Sequence, residues 1–423
     1  MPNRQTHVDP RLSKVRAEKL NETFMIRERG HLATNSVANE LYELNRNLVT
    51  ESLQKSNEIL LPLSSGYDSR MIFSVLAENK MLKERLSCFT YGNLGSLEVE
   101  AAKELCAKAN VRWSHIDLPA KFLRKKYLID VANIFGSSMH MHAMYQIEVI
   151  ELLEKMNLIP KNCTLTSGFM TGVPAGQHNR LLNIKSMNPN LSHAMDSFSQ
   201  SKVWAKEELE SLAVFQGENF EESCEAKFQM AFNDFDGELD QKAILFDIWT
   251  RQRNFISYHP RILEWFRPVS SPHMNPEYIN FFLSLKPEHL KDRRAVQAMF
   301  QLKYWAASRV VSDSNTFRGM GSKLKTAAYF APQVLSKFGV NRQSFLGFFS
   351  NDPKFDQKAV TDARQESFFP ILDTNSNHDL TELVNLFGGP LFFESLYSSA
   401  KQGDIKAYLK VTTLQSIALT LND

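Results

Sequence analysis

Residues 59–76 constrain the fold more than any other part of the chain. An apolar run over residues 59–63, interrupted only by Pro62, stops at small and turn-forming residues, and residues 71–76 then place apolar side chains at helical spacing. This order predicts a strand, a tight loop and the N-terminus of a helix. Such an arrangement directs backbone N–H groups and the positive end of a helix at one spot, where an anion can bind.

The loop between the predicted strand and helix carries donors and one acid. Ser64, Ser65 and Ser69 supply hydroxyl groups, and Asp68 supplies a carboxylate suited to a metal ion that bridges phosphates. The pattern therefore indicates a polyphosphate cradle, although neither a Walker loop nor a dinucleotide fingerprint fits it. From these residues alone, a serine-rich turn with an Asp near the helix N-cap remains an equal alternative.

The segment Leu63-Ser64-Ser65-Gly66-Tyr67-Asp68-Ser69 resembles the pyrophosphate loop of the N-type ATP pyrophosphatases, Ser-Gly-Gly-x-Asp-Ser. The resemblance is greatest to asparagine synthetases, which place Leu before that motif; Ser65 replaces the first glycine here. Further segments resemble the same family and follow in the family's order: a strand at 86–92, a Glu- and Ala-rich helix at 96–110, a strand at 111–118, a second loop at 165–176, and a late region at 249–255 and 272–285. The chain is thus identified as similar to the asparagine synthetase-like family over about residues 30–320.

The fold expected from the residues and from the resemblance is the same. The strand and helix order over 57–118 implies a parallel sheet with right-handed crossovers, and an amphipathic helix is predicted at 35–53. The resemblance implies an α/β fold of the HUP (adenine nucleotide alpha hydrolase-like) class, with a parallel twisted sheet, flanking helices and a mostly helical C-terminal half. The expected organisation is an N-terminal arm at 1–30, an ATP pyrophosphatase domain at 31–320, and a C-terminal helical extension at 321–423. Within the domain, the polar stretch at 186–193 predicts an exposed loop or lid.

The resemblance also implies ATP and Mg²⁺ as cofactors. The loop would bind pyrophosphate, with Asp68 as the metal ligand, while Leu63 and Tyr91 would flank adenine. The second loop would approach the nucleotide through its backbone. The residues expected to bind the cofactor are Leu63, Ser64, Ser65, Gly66, Tyr67, Asp68, Ser69, Tyr91, Ser167 and Gly168.

Several positions depart from the family pattern. The acid of the family's second loop falls at Gly172, and the position that is Glu in asparagine synthetases and Tyr in β-lactam synthetases is Phe169. Phenylalanine cannot relay protons, so the usual catalytic group is missing there. Asn275 stands where the late region has an aspartate, which retains a hydrogen-bonding shape without the charge.

Cations near the late region are the candidate catalytic residues. The family's late lysine, which reaches the α-phosphate, aligns next to Arg293 and Arg294, and arginine can hold phosphate with two hydrogen bonds. A solvated charge run over 291–294 is the alternative interpretation. Arg251 and Arg253 have two open roles as well: binding the carboxylate of a substrate, or capping a helix by ion pairing.

Composition excludes several classes of protein. A net charge of +2 offers no general electrostatic basis for binding nucleic acid or an anionic membrane. Four scattered cysteines without a Cys-x-x-Cys pair argue against a zinc knuckle or a disulfide framework and favour a reducing cytosol. With neither a signal-peptide pattern nor an apolar run of about 18 residues, a cytoplasmic protein is expected.

The expected activity follows from the resemblance and from one departure. Asparagine synthetases carry a Cys nucleophile directly after Met1 for glutamine hydrolysis, and Pro2 occupies that position here. The expected function is an ATP-dependent ligase that adenylates the carboxylate of a small molecule or sugar and forms an amide. Its amine would be free ammonia, ammonia from a separate glutaminase, or an amine of the substrate. The alternative is a catalytically degenerate nucleotide-binding relative that acts as a partner or regulatory subunit.

Overall fold

The computed structural model describes most of the chain between residues 33 and 308. The described residues are 33–92, 97–116, 142–177, 220–264 and 267–308, with single positions at 24, 94, 310, 395, 398 and 399. The predicted exposed loop at 186–193 lies outside them. So do the predicted N-terminal arm, apart from Phe24, and the predicted C-terminal extension, apart from three positions.

Five parallel strands form one sheet in the order β3-β2-β1-β4-β5. The strands are β1 (Ile59–Pro62), β2 (Leu86–Tyr91), β3 (Arg112–Ile116), β4 (Thr164–Thr166) and β5 (Val269–Ser270). Every pairing is parallel. The prediction of an α/β fold with a parallel sheet and flanking helices is confirmed.

The central strand is β1, which has β2 on one side and β4 on the other. Ile59 pairs with Leu86 in β2 and with Thr164 in β4. Residues 59–61 are all buried, as expected of a parallel strand covered by helices on both faces. The chain runs from β1 to β2 and β3, then returns to the other side of β1. The strand order therefore reverses at β1, which is where parallel sheets bind ligands beyond the carboxyl ends of their strands.

Helices surround the sheet and form most of the later part of the described chain. The α-helices are α1 (Thr34–Leu53), α2 (Tyr67–Glu78), α3 (Lys80–Glu84), α4 (Leu97–Ala109), α5 (His142–Lys155), α6 (Phe220–Asn233), α7 (Leu239–Asp247), α8 (Tyr258–Glu264), α9 (Pro276–Leu283), α10 (Pro287–Leu290), α11 (Arg294–Lys303) and α12 (Trp305–Ser308). A π-helix spans Ile248–Ile256, and 3-10 helices span Pro272–Met274 and Lys291–Arg293. Within the described ranges, each helix is either too short or too polar to cross a membrane.

The helix predicted at 35–53 is α1, and its apolar face lies in the core. Val37, Leu41 and Leu48 are buried, and α1 packs against α2 and α11. One cluster of buried apolar side chains extends from Phe24 to Val310, so both ends of the described chain contribute to it. Asn45 is the polar exception on the buried face of α1, and it reaches the candidate site.

Candidate functional site

A cleft of about 380 Å³ opens beyond the carboxyl ends of β1, β2 and β4. Its walls come from the loop after β1, the end of β2, the loop after β4, and a helical wall that runs from Arg251 to Leu263. The cleft therefore lies where the strand order reverses. We call the segment Ser64–Ser69 the first loop and the segment 167–177 the second loop.

Side chains of the first loop hold its own backbone. The backbone N–H of Ser64 donates to Ser69 Oγ at 3.1 Å, and the two serine hydroxyls are also 3.1 Å apart. The N–H of Gly66, the N-cap of α2, donates to Ser64 Oγ at 3.2 Å. The first N–H groups of a helix have no acceptor within the helix, so the N-terminus of α2 presents donors suited to an anion at the cleft.

A buried arginine supports the first loop from the protein interior. Arg70 is completely buried, and its guanidinium donates to Ser65 O at 2.9 Å, Ala307 O at 3.1 Å and Val310 O at 2.9 Å. These carbonyl oxygens compensate for the cost of burying a charge. The loop is thereby tied to the end of α12 and to Val310. The sequence analysis did not identify this role of Arg70.

The second loop touches the first loop at Asp68. The N–H of Ser167 continues the pairing of β4 with β5 by donating to Ser270 O at 2.8 Å. A Cβ added to Gly168 would lie 3.1 Å from both the backbone C and the Cβ of Asp68, and 3.3 Å from the N of Ser69. A side chain at residue 168 would need its neighbours to shift by a few tenths of an ångström, and two of the three nearest atoms belong to the backbone. The predicted glycine of the second loop thus packs on the first turn of α2.

Buried hydrogen bonds hold the second loop on its interior side. Asn45 Nδ2 donates to Met71 O at 3.2 Å, so Asn45 Oδ1 is the acceptor that lies 2.8 Å from His273 Nε2. His273 Nε2 therefore carries the proton, and Nδ1 accepts from the Thr171 hydroxyl at 2.6 Å. The Tyr278 hydroxyl donates to Thr171 O at 2.9 Å. Burial lowers the pKa of His273 to about 3, so this imidazole is neutral. Sequence reasoning missed this network.

Asp68 pairs with one of the two arginines predicted to be catalytic. Arg293 NH1 donates to Asp68 Oδ1 at 3.1 Å, and the Arg293 guanidinium lies 4.9 Å from the centre of the Tyr67 ring. Both Asp292 and Arg293 adopt a φ of 55°, a left-handed conformation that costs about 1–3 kcal/mol for a residue other than glycine. This kink before α11 directs Arg293 towards Asp68. Arg294 is exposed at the start of α11.

A glutamine side chain occupies the space beside Gly172. A Cβ added to Gly172 would overlap Gln177 Oε1 and lie 3.1 Å from Asp68 Oδ1. The N–H of Gln177 donates to Gly172 O at 3.0 Å, which folds the loop back and brings the glutamine to this place. The neutral amide oxygen therefore lies next to Asp68, at the position where the resemblance predicts an acid. Sequence analysis did not single out Gln177.

The predicted cofactor-binding residues divide between the cleft surface and the layer behind it. Those that line the cleft are Leu63, Ser64, Asp68, Ser69, Tyr91, Ser167 and Gly168. Ser65 and Tyr67 are buried behind the first loop, where the Tyr67 ring packs 5.5 Å from that of Phe300. Gly66 forms the turn that precedes α2. The structure thus brings both predicted loops and Tyr91 to one cleft.

The helical wall is formed by the π-helix and α8. Arg251 and Arg253 of the π-helix were open candidates for binding a substrate carboxylate, whereas the sequence analysis did not single out α8. Arg251 and Gln252 of the π-helix and His259 of α8 line the cleft. Gln252 Nε2 lies 3.4 Å from both carboxylate oxygens of Asp247, whose pKa is raised by burial. Apolar periodicity does not distinguish a π-helix from an α-helix in a sequence, although such segments are frequent at functional sites.

The donor groups of the cleft suffice for a metal ion only if phosphate oxygens of a bound nucleotide complete its coordination. Within the described ranges, there is no group of three or more His, Cys, Asp or Glu side chains that could hold a metal. Asp68 and Glu98 are the carboxylates that line the cleft, and Gln177 adds an amide oxygen beside Asp68. Mg²⁺ is usually held by one or two carboxylates together with phosphate oxygens. This set therefore suits nucleotide-bound Mg²⁺.

No protein-family model matches the chain, and a search of curated proteins finds no match to it.

Proposed function

We propose that this chain is an ATP-dependent, AMP-forming carbon–nitrogen ligase of the asparagine synthetase-like family, with a HUP-like fold. It activates a carboxylate as an acyl-adenylate and releases pyrophosphate, so that ammonia or another amine can form the amide. One observation carries the proposal: the two loops with family motifs meet at Asp68, where Gly168 packs against the first turn of α2. We further propose a cytoplasmic location, which suits an ATP-using enzyme with free Cys88, Cys106 and Cys163.

The first loop holds the phosphates that become the leaving group. The N-terminus of α2 and the hydroxyls of Ser64 and Ser69 offer fixed donors to negative charge that grows during the reaction. Each such donor contributes about 2.7–4 kcal/mol to lowering a barrier. When bound through Asp68, Mg²⁺ supplies further neutralisation of the pyrophosphate charge. Leu63 and Tyr91 give the adenine an apolar surface at the ends of β1 and β2.

Arg293 supplies a cation beside Asp68 of this loop. Its ion pair with Asp68 keeps a guanidinium beside the phosphate position, and the ring of Tyr67 supports the guanidinium from one face. The left-handed backbone at Arg293 is consistent with a functional constraint, because strain of this kind concentrates at active sites. The exposed Arg294 has no comparable relation to Asp68, so we assign the cationic role to Arg293.

The reaction then proceeds in two balanced steps. An oxygen of the substrate carboxylate forms a bond to the α-phosphorus of ATP, while the bond from that phosphorus to the bridging oxygen breaks and pyrophosphate leaves with the electron pair. The amine next forms a bond to the acyl carbon, the bond to AMP breaks, and the amine loses a proton. The acceptor is a small-molecule or sugar carboxylate. The amine is free ammonia, ammonia from a separate glutaminase, or an amine of the substrate itself.

One observation favours a second function, that of a nucleotide-binding partner or regulatory subunit without catalysis. Phe169 replaces the catalytic residue of the family, and the space for the family's second acid is filled by the neutral amide of Gln177 beside Gly172. These changes remove proton-transfer capacity and negative charge from the cleft, yet they leave the phosphate-binding end of α2 in place. Such a protein binds ATP without hydrolysing it.

Calorimetric titration of ATP, with and without Mg²⁺, tests the proposal on wild type, Asp68→Ala and Asp236→Ala. Asp236 is exposed and is not among the residues that line the cleft, so its variant controls for loss of one carboxylate. We expect Mg²⁺-dependent binding in wild type and Asp236→Ala, and binding at least roughly tenfold weaker in Asp68→Ala, equivalent to about 1.4 kcal/mol. Equal binding in all three proteins would place the nucleotide elsewhere and refute the proposal.

Product analysis separates the two functions. Wild type incubated with ATP, ammonium and a panel of carboxylates should release AMP and pyrophosphate in equal amounts. Release of ADP and phosphate instead would contradict adenylation. Binding of ATP without any product, across monocarboxylates, dicarboxylates and uronates, would favour the regulatory function.

A further inference from the structure

Arg251 is the only arginine or lysine among the described residues that line the cleft. Its side chain is partly buried in the π-helix, and the structure records no hydrogen bond or ion pair between Arg251 and another described residue. Arg251 interacts electrostatically with Asp247, a buried carboxylate whose ionised form it favours. Apart from this electrostatic interaction with Asp247, the five donors of the Arg251 guanidinium have no hydrogen-bond acceptor among the described residues.

The neighbouring arginine of the π-helix provides a contrast. Arg253 is exposed, and its guanidinium lies 4.0 Å from the centre of the Trp249 ring. This stacking accounts for Arg253 as a surface cation–π pair. The two arginines were indistinguishable in the sequence, and the structure separates them because only Arg251 lines the cleft.

The cleft has to accept two anions if the proposed function is correct. Phosphates have their own site at the N-terminus of α2, next to the serine hydroxyls of the first loop. The helical wall stands on the other flank of the cleft, because α8, which continues the π-helix, packs against β5 and α5. Tyr91, the residue proposed to contact adenine, ends β2 on the opposite side of β1. The wall with Arg251 is thus separated from the adenine position by the phosphate loop.

We propose that Arg251, with Gln252 beside it, forms the subsite that binds a carboxylate of the acceptor, a small organic acid. This inference rests on the proposed ligase function and names the acceptor site within it. A planar guanidinium can hold a carboxylate through two parallel hydrogen bonds, which fixes its orientation as well as its position. Asp247, hydrogen-bonded to Gln252, supports the wall from behind.

Equilibrium binding to the wild type and three variants tests the proposal. The probes are acetate, succinate and D-glucuronate, titrated with α,β-methylene-ATP and Mg²⁺ present, and D-glucose serves as the uncharged control. The variants are Arg251→Gln, Arg251→Lys and the matched control Arg253→Gln. We expect at least one acid, and not glucose, to bind the wild type and Arg253→Gln equally. Arg251→Gln should bind that acid roughly tenfold to a hundredfold more weakly, since hydrogen bonds to charged groups contribute that much.

The remaining outcomes are distinguishable. Arg251→Lys should retain part of the affinity, because it keeps the charge and loses the planar pair of donors. Affinity for the nucleotide analogue should stay within about twofold of wild type in all variants. If Arg251→Gln weakens the analogue as strongly as the acid, Arg251 binds nucleotide phosphate and the proposal is wrong. It is also wrong if the analogue binds while no acid does, or if acids bind independently of residue 251. If the analogue itself fails to bind the wild type, the proposed ligase function fails first.

Discussion

The two loops that meet at Asp68 are held in place by different means. On its cleft side the first loop is closed by its own serines, since Ser64 and Ser69 lie five residues apart and bond to each other and to the loop backbone, while Arg70 ties its Ser65 carbonyl to the protein interior. The second loop is held by residues that are remote in the chain. Its Thr171 bonds to His273 and Tyr278, more than a hundred residues later, and His273 bonds in turn to Asn45.

This difference separates ligand binding from stability. Ser64, Asp68 and Ser69 of the first loop line the cleft, so changing one of them should alter affinity for a nucleotide more than the free energy of unfolding. The network below the second loop is completely buried and fully paired, and buried polar groups are costly when they lose a partner. Changes there should therefore affect stability first. The three predictions that follow test this contrast.

The largest effect is expected from replacing His273 with leucine. The Thr171 hydroxyl and Asn45 Oδ1 would both lose their partner inside the protein, at roughly 1–3 kcal/mol for each buried group, so we expect a loss of about 3 kcal/mol. Urea unfolding followed by far-UV circular dichroism measures it. In the first loop, Ser69→Ala should cost less, about 1–2 kcal/mol, because it removes two partly buried hydrogen bonds to Ser64 at about 1 kcal/mol each.

An exposed neighbour provides the control for His273→Leu. Met274 lies in the same 3-10 helix and is 53% exposed, so Met274→Gln should change the free energy of unfolding by less than about 0.5 kcal/mol. If His273→Leu proves no more destabilising than Ser69→Ala, the two loops are not held differently and the contrast drawn above is wrong.

The second prediction concerns pH. Burial lowers the pKa of His273 in the folded protein to about 3, whereas an unfolded histidine titrates near 6.5. Between these values the unfolded chain binds a proton that the folded protein does not, so stability falls as the pH is lowered. The expected slope from this group is about 1.4 kcal/mol per pH unit, and its contribution is fully present above about pH 6.5.

The difference in free energy of unfolding between wild type and His273→Leu should therefore shrink as the pH is lowered. Urea unfolding at several pH values between about 5 and 7 measures the gap while most carboxylates are still ionised. We expect the gap to narrow as the pH falls, because the variant has lost the titrating group. If this difference in free energy of unfolding stays constant or grows as the pH falls, His273 is protonated in the folded protein.

The features that could be predicted from the sequence are those held by local contacts, as in the first loop. Apolar runs and turn residues act over a few positions, so β1, the first loop and α2 were predictable from residues 59–76, and the parallel order of β1 to β3 followed. The helix at α1 was predictable from the spacing of Val37, Leu41 and Leu48. In each of these the physical signal is local.

Other features depend on contacts between distant residues, which no local pattern encodes. The bonds from Arg70 to Ala307 and Val310 span more than two hundred residues, and a buried arginine looks like any helical arginine in a sequence. The role of Gln177 depends on the absence of a side chain at Gly172. Arg293 could be named from the sequence, but its pairing with Asp68 depends on the left-handed kink before α11.

The smallest effect distinguishes Gly168 and Gly172 of the second loop. Alanine at Gly168 would press its Cβ against the backbone and Cβ of Asp68, which cannot move without opening the contact between the loops. We expect Gly168→Ala to cost about 1–2 kcal/mol by overpacking and to weaken ATP binding. Alanine at Gly172 would meet mainly the end of the Gln177 side chain, which can rotate away, so Gly172→Ala should cost less than about 0.5 kcal/mol.

Each variant adds one methyl group to the second loop, at positions four residues apart, so each serves as the control for the other. Thermal unfolding gives the stability difference, and calorimetry with ATP gives the affinity difference. If Gly168→Ala has the larger effect on both, the junction at Asp68 joins the two loops into one binding site. If Gly172→Ala is equally costly, Gln177 is fixed beside Asp68, because a side chain free to rotate would have yielded to the added methyl group.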